Sequence, residues 1–141
     1  MILIEKSTKE EIKKFNAKEW VATDVKHYGK GKDWKEEVFV FKAVEDGEII
    51  GTIYGKLADG ILYIDDLIVT KNKRGLGIGR MLMKEAEAFG HKLKAHKAYL
   101  ITGKDWDVRG FYEKLGYKLT GDFANGSESN DLVVYENFFK N

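Results

Sequence analysis

The spacing of apolar and polar positions changes several times along the chain, and each change predicts an element. Ile2-Leu3-Ile4 reads as a short strand. Ser7-Thr8-Lys9-Glu10 has the form of a capping box and opens a helix with Ile12, Phe15 and Trp20 near helical spacing. Between residues 23 and 35 the polarity rises and Gly29 and Gly31 intervene, which predicts a loop or a broken second helix. Residues 38–44 (Val-Phe-Val-Phe-Lys-Ala-Val) predict a strand, and Asp46-Gly47 is a two-residue hairpin signal leading into a second strand at 49–57. Asp59-Gly60 repeats the device and launches 61–69, completing an antiparallel meander. Ile78, Met81, Leu82, Ala86, Phe89 and Leu93 then mark one face of an amphipathic helix. A strand at 98–102 follows, then a short helix through Phe111, Tyr112 and Leu115, stopped by Gly116. Strands at 117–123 and 132–138 flank a polar loop at 124–130. This order predicts an α/β protein with a mixed α+β sheet covered by helices, not the regular strand–helix alternation of a doubly wound fold.

Composition narrows the class. With 141 residues and a hydrophobic share of 43%, the chain has the material for one domain spanning 1–141. It has no cysteine, so disulfides, thiolate metal sites and cysteine nucleophiles are excluded. No apolar run approaches the ~18 residues of a membrane span, and the first residues lack the pattern of a secretion signal, so the expectation is a cytoplasmic protein without membrane contact. The three histidines are scattered, with no metal-binding spacing, and no metal is expected. Ser127 and Ser129 sit in a polar loop without a nucleophile elbow. A net charge of +1 gives nucleic acid little to hold, but lysine outnumbers arginine 21 to 3, so the positions of the arginines carry information.

Two of the three arginines fall in Val69-Thr70-Lys71-Asn72-Lys73-Arg74-Gly75-Leu76-Gly77-Ile78-Gly79-Arg80. Here an apolar strand runs through alternate glycines into a helix. The first amides of that helix point back at the loop, its dipole adds positive potential, and glycines let a bulky anion approach the backbone. Lys71, Lys73, Arg74 and Arg80 are expected around the same spot, which suits a di- or polyphosphate. The P-loop pattern fails because Arg80-Met81 follows Gly79, and the dinucleotide pattern fails at Leu82.

Arg74-Gly75-Leu76-Gly77-Ile78-Gly79 resembles the arginine–glycine signature of the GCN5-related N-acetyltransferases. Tyr63-Ile64-Asp65-Asp66-Leu67-Ile68-Val69 and Arg109-Gly110-Phe111-Tyr112-Glu113-Lys114-Leu115-Gly116-Tyr117 are similar to two further blocks of that family, in the right order. The resemblance implies a central, mostly antiparallel sheet with helices on both faces, and acetyl transfer from acetyl-CoA to a primary amine of a small molecule or peptide by direct attack in a ternary complex. It implies that Arg74, Gly75, Leu76, Gly77, Ile78, Gly79 and Arg80 hold the pyrophosphate. The strand ending at Val69 would splay from the strand at 98–102 to admit the pantetheine arm, with Leu67, Ile68 and Val69 bonding it and an N–H near Leu67–Ile68 facing the thioester oxygen. Asp105 takes the place of an asparagine that touches the arm in relatives, and Phe111 lies near the acyl end. Tyr112 matches the tyrosine that faces the sulfur and would protonate the departing thiolate. Asp65 matches a glutamate used as base in several members, with Asp66 as the second candidate. The two aspartates interrupt an apolar strand, where aspartate is disfavoured, and only a bulge would let both face one side.

The resemblance also places the acceptor groove against residues 20–35 and 124–130, where Trp20, Tyr28 and Trp34 could enclose an amine and Asp24, Asp33, Glu128 and Asp131 could attract a cation. The acceptor itself is not legible. A non-catalytic acyl-CoA-binding module is the alternative, supported by aspartate at 65 and 105 where relatives often carry glutamate and asparagine. The last strand, with Phe138-Phe139 at its end, could pair across a homodimer.

Overall fold

The structure, a computed structural model, describes residues 1–32, 35–124, 126 and 130–140, and divides into two compact units, 1–34 and 35–141. The first holds one helix, α1 (Lys9–Tyr28). The Thr8 hydroxyl accepts the Glu11 N–H at 3.1 Å, so the capping residues are one position later than Ser7 and Glu10. The helix continues through residues 23–28, the first part of the stretch expected to be loop or broken helix. Polarity alone does not end a helix; Gly29 does, adopting φ 78° with its N–H on the Val25 carbonyl at 2.9 Å. Ile2-Leu3-Ile4, expected as a strand, lie outside any strand. Three apolar residues make a strand only where a neighbour takes their backbone groups.

The second unit is a six-stranded mixed sheet flanked by helices: β1 (Glu37–Glu45), β2 (Glu48–Ala58), β3 (Ile61–Val69), a 3₁₀ turn (Lys71–Lys73), α2 (Ile78–Lys92), β4 (Lys97–Gly103), α3 (Arg109–Lys114), β5 (Lys118–Phe123) and β6 (Leu132–Phe138). Strands lie in the order β1-β2-β3-β4-β6-β5. All pairs are antiparallel except β3 with β4. Both hairpins turn where the sequence predicts, with Asp46-Gly47 at φ 51° and 81° and Asp59-Gly60 at 54° and 77°. Positive φ at both central residues matches the twist of the flanking strands.

Leu82, Met83 and Ala86 of α2 close over Phe39, Ile53, Leu57, Leu62 and Ile64, and the same core continues through Leu100, Val133 and Tyr135 to Tyr112, Leu115 and Tyr117. At roughly 2 kcal/mol per large apolar side chain, this burial is what holds α2 and α3 to the sheet.

Two irregularities shape the site. β3 carries a bulge: Gly55 faces Ile64 but Tyr54 faces Asp66, leaving Asp65 as the extra residue. With period two unbroken, Leu62 and Ile64 inward would turn Leu67 and Val69 outward. The bulge resets the phase, and Leu67 and Val69 rejoin the core. Second, the parallel ladder of β3 and β4 consists of Ile61↔Lys97, Leu62↔Ala98 and Tyr63↔Tyr99. Beyond it the strands fork, and β4 continues against β6 up to Gly103↔Leu132.

Candidate functional site

The fork leaves one edge of β3 open, and antiparallel alternation tells which backbone groups face it. The Thr70 N–H bonds the Ile50 carbonyl at 2.8 Å, making that a hydrogen-bonded pair. Counting back through the register, Ile68↔Thr52 is of the same kind, whereas Val69↔Gly51 and Leu67↔Ile53 are not. The N–H and C=O of Leu67 and Val69 therefore turn away from β2 into the fork, and those of Ile68 are spent on β2. The Val69 carbonyl already accepts Arg74 Nε at 2.9 Å, which pins the loop to the strand end and leaves the terminal N–H groups of the guanidinium available.

Beyond the 3₁₀ turn, the loop enters α2 through Gly77, whose φ of 86° suits glycine alone and whose side-chain position would face nothing within 4 Å. Gly77 supplies no side-chain cap, so the amides of Ile78, Gly79 and Arg80 point outward without a protein acceptor from the cap residue. Gly79 serves a different purpose: a Cβ there would lie 3.2 Å from the Phe111 ring, so its absence lets α3 approach the first turn of α2. Leu76 is exposed beside these amides. Lys73, expected at the anion position, is instead drawn to Glu45 at 2.6 Å. A neighbouring hollow of about 450 Å³ carries Glu45, Asp46 and Glu48 alongside Lys73, a lining unsuited to an anion.

Asp65 and Asp66 differ because of the bulge. Asp66 stands opposite Tyr54 and is half-buried; Asp65 is exposed. The charge of Asp66 is the main reason the Tyr54 phenol is held above its ordinary range, with burial, the more distant charge of Asp65 and a hydrogen bond to Asp66 adding to it. Asp65 also acts on Tyr63, whose pKa is raised chiefly by burial and next by that carboxylate. Both aspartates thus act on tyrosines of one sheet face. There Tyr63 and Tyr99 stack with centroids 4.7 Å apart at the point where the ladder ends. Tyr54 and this stacked pair were not singled out in the sequence. Tyr63 shares a strand with Asp65 and could have been found by counting, but Tyr54 reaches Asp66 only through the shifted register.

Tyr112 lies in the core, its ring 5.3 Å from that of Tyr135 and 6.1 Å from that of Tyr117, with Phe111 edge-on at 5.0 Å. Burial, helped by Tyr135, pushes its phenol up to about 12. Asp105 is exposed in the turn after β4. Trp20 and Tyr28 lie on α1 in the 1–34 unit, where Lys32 Nζ sits 4.1 Å over the Tyr28 ring, and Asp24 is buried. Trp34, Asp33, Ser127, Glu128 and Ser129 fall outside the described residues. Among the described residues no cluster of three or more His, Cys, Asp or Glu side chains could hold a metal ion, and no helix is long and apolar enough to cross a membrane.

Comparison with known proteins extends this picture. Residues 6–117 match the model of the Acetyltransferase (GNAT) family. Blasticidin-S acetyltransferase of Streptomyces morookaense is 32% identical over 92 residues, covering 63% of this chain and 68% of its own length. In fold, an acetyltransferase from Bacillus cereus superposes with a TM-score of 0.76 at 21% identity over 98% of both chains. A GNAT family acetyltransferase from Elizabethkingia anophelis with acetyl-CoA bound superposes at 0.65, with 19% identity over 71% of this chain and 75% of that one.

Proposed function

This chain belongs to the GNAT family of acetyltransferases, and on that footing we propose that it transfers the acetyl group of acetyl-CoA to a primary amine of a small molecule by direct attack. One observation carries the reading. The open edge of β3 leads, through the 3₁₀ turn and the glycine loop, to an uncapped helix start, so a long polar arm and a diphosphate each have backbone partners on successive stretches of the chain.

The residues present fit that ligand. The amides of Ile78, Gly79 and Arg80 would take the pyrophosphate, with Gly75, Leu76 and Gly77 giving it room and Arg74 and Arg80 contributing charge. Leu67 and Val69 offer backbone groups to the pantetheine arm, and Phe111 closes the space above Gly79. Acetyl-CoA supplies the acetyl group as a thioester. Asp65, exposed at the bulge, takes the proton that an alkylammonium must lose before it can attack, directly or through water. The Leu67 N–H, turned into the fork, is the amide aimed at the thioester oxygen. Tyr112 donates a hydrogen bond to the departing sulfur. With its phenol pushed up to about 12, it stays protonated throughout the neutral range, and complete proton transfer to a thiolate of pKa ~8.5 would be uphill. Hydrogen-bond donation is therefore its part: the thiol would leave as a thiolate, and the second proton of the attacking nitrogen would pass to water as the amide forms.

A relative that acts on blasticidin S supports looking for the acceptor among amine-bearing antibiotics and similar small molecules. The test is a screen of primary amines against acetyl-CoA with free-thiol detection. Thiol release above the hydrolysis background with at least one amine is expected. Tight coenzyme A binding with no turnover on any amine would reduce the protein to a binding module.

A further inference from the structure

Glu87 is a carboxylate on the apolar face of α2, beside Met83 and Ala86, and only 6% exposed. A buried charge persists where hydrogen bonds answer it, and here they come from distant parts of the chain. The Tyr117 hydroxyl donates to Glu87 Oε2 at 3.1 Å, the Asn137 amide donates to the same oxygen at 3.4 Å, and Lys84 Nζ lies 3.7 Å from Oε1. Tyr117 is itself 1% exposed. Its backbone N–H donates to the Tyr112 carbonyl at 3.0 Å, a carbonyl that also accepts the Leu115 N–H at 3.1 Å. The chain reverses at Gly116, with φ of 94°, against the Asn137 side chain. One residue thus ties the middle of α2 to the main chain of Tyr112. At the other end of α2, Phe111 rests on Gly79.

We infer that Glu87, Tyr117 and Asn137 form a positioning brace that sets the Tyr112 hydroxyl relative to the anion-binding start of α2. This rests on the role given to Tyr112 in the proposed function. The first turn of α2 would hold one end of the cofactor and α3 carries the group that meets the other end. A hydroxyl displaced by even about 1 Å forfeits much of its effect, as misplacement does generally at catalytic centres. Neither Glu87 nor Tyr117 touches the substrate. They act through Tyr112.

Tyr117→Phe removes one hydroxyl from the brace and keeps the ring. The expected result is a fall in kcat of roughly tenfold, with the Kd of coenzyme A, measured by calorimetry, changed less than about twofold. In the ligand-free protein, hydrogen exchange at the amides of Tyr112, Leu115 and Tyr117 should quicken while β2 and β3 stay protected. Glu87→Gln, which keeps an acceptor oxygen, should remain near the parent, and Glu87→Leu should behave like Tyr117→Phe. Should Glu87→Leu fail to fold, Tyr117→Phe alone carries the test. In a Tyr112→Phe background the second change should alter kcat less than about twofold, since nothing is left to position. Independent, multiplying losses would overturn the brace, as would a Tyr117→Phe variant losing kcat and coenzyme A affinity together. If Tyr112→Phe alone leaves kcat intact, the donor role given to Tyr112 fails first and takes the brace with it, an outcome distinct from the other two.

Discussion

Asp65 and Asp66 are adjacent in the chain, yet their surroundings assign them different work. Asp66 faces Tyr54 across the strands and is half-buried, and its charge is the main influence on that phenol. Asp65 is the unpaired residue of the bulge and stands exposed beside the fork. The sequence flags both, because aspartate is out of place in an apolar strand, and puts Asp65 first only through the family resemblance; composition and spacing do not rank them. Ranking needs the cross-strand partner, and the partner depends on a register slip of one residue. Asp65→Asn is expected to lower kcat/KM about 100-fold or more, in line with the loss of a general base. Asp66→Asn should cost only a few-fold, through the altered Tyr54 contact. Steady-state rates on whichever amine the screen yields decide it; a larger loss in Asp66→Asn would move the proton-accepting role to Asp66.

Among elements, the periodicities and the Asp-Gly turns were informative, whereas the end of α1 and the bulges were not. Hairpin turns at Asp46-Gly47 and Asp59-Gly60 and the start of α2 at Ile78 fall where turn chemistry and amphipathic spacing predict. The end of α1 does not, because a polar stretch is compatible with helix until Gly29 stops it. Another bulge, between Leu119 and Gly121 of β5, is equally invisible in the sequence. It leaves Thr120 as the extra residue, and its hydroxyl donates to Glu136 on β6, while Lys97 on β4 bonds the other oxygen of the same carboxylate. One side chain thus ties three strands, including the strand that forms one arm of the fork. The hydrogen bonds from Lys97 and then Thr120 hold the Glu136 carboxyl below its ordinary value of 4.5. Because the folded-state pKa is depressed, the stabilisation is fully present above about pH 4.5 and is lost as pH falls through the lower, folded value. Glu136→Gln should therefore cost roughly 1–2 kcal/mol at pH 7, as for a hydrogen bond to a charged group. That gap should narrow steadily in denaturant melts taken below about pH 4.5, and a gap unchanged down to pH 3 would mean the carboxylate contributes nothing as an anion.

On the scale of the whole molecule, what the sequence concealed is long-range. The short motif from Arg74 to Arg80 was legible because loop, glycines and helix start are contiguous. The Glu87–Tyr117–Asn137 network joins residues 30 and 50 positions apart, and the fork is a property of how far β3 and β4 stay paired. No local pattern encodes either. This division bears on which ligand the protein accepts. NADH and coenzyme A share an adenosine diphosphate half, so the glycine turn by itself would hold both. On the proposed function, the fork is the feature that would prefer a pantetheine arm, since it would offer the Leu67 and Val69 backbone as a strand partner. With the protein's net charge at +1, general attraction of anions is weak and does not blur the comparison. Coenzyme A at about 100 times its Kd should stabilise the fold by about 2.7 kcal/mol, raising Tm by roughly 5–10 °C. NADH at the same concentration should leave Tm within about 1 °C, because half a ligand at the turn gains too little to offset the freedom it loses. Equal shifts from the two ligands in a thermal melt would mean that the turn alone binds and that the open edge of β3 has no part in recognition.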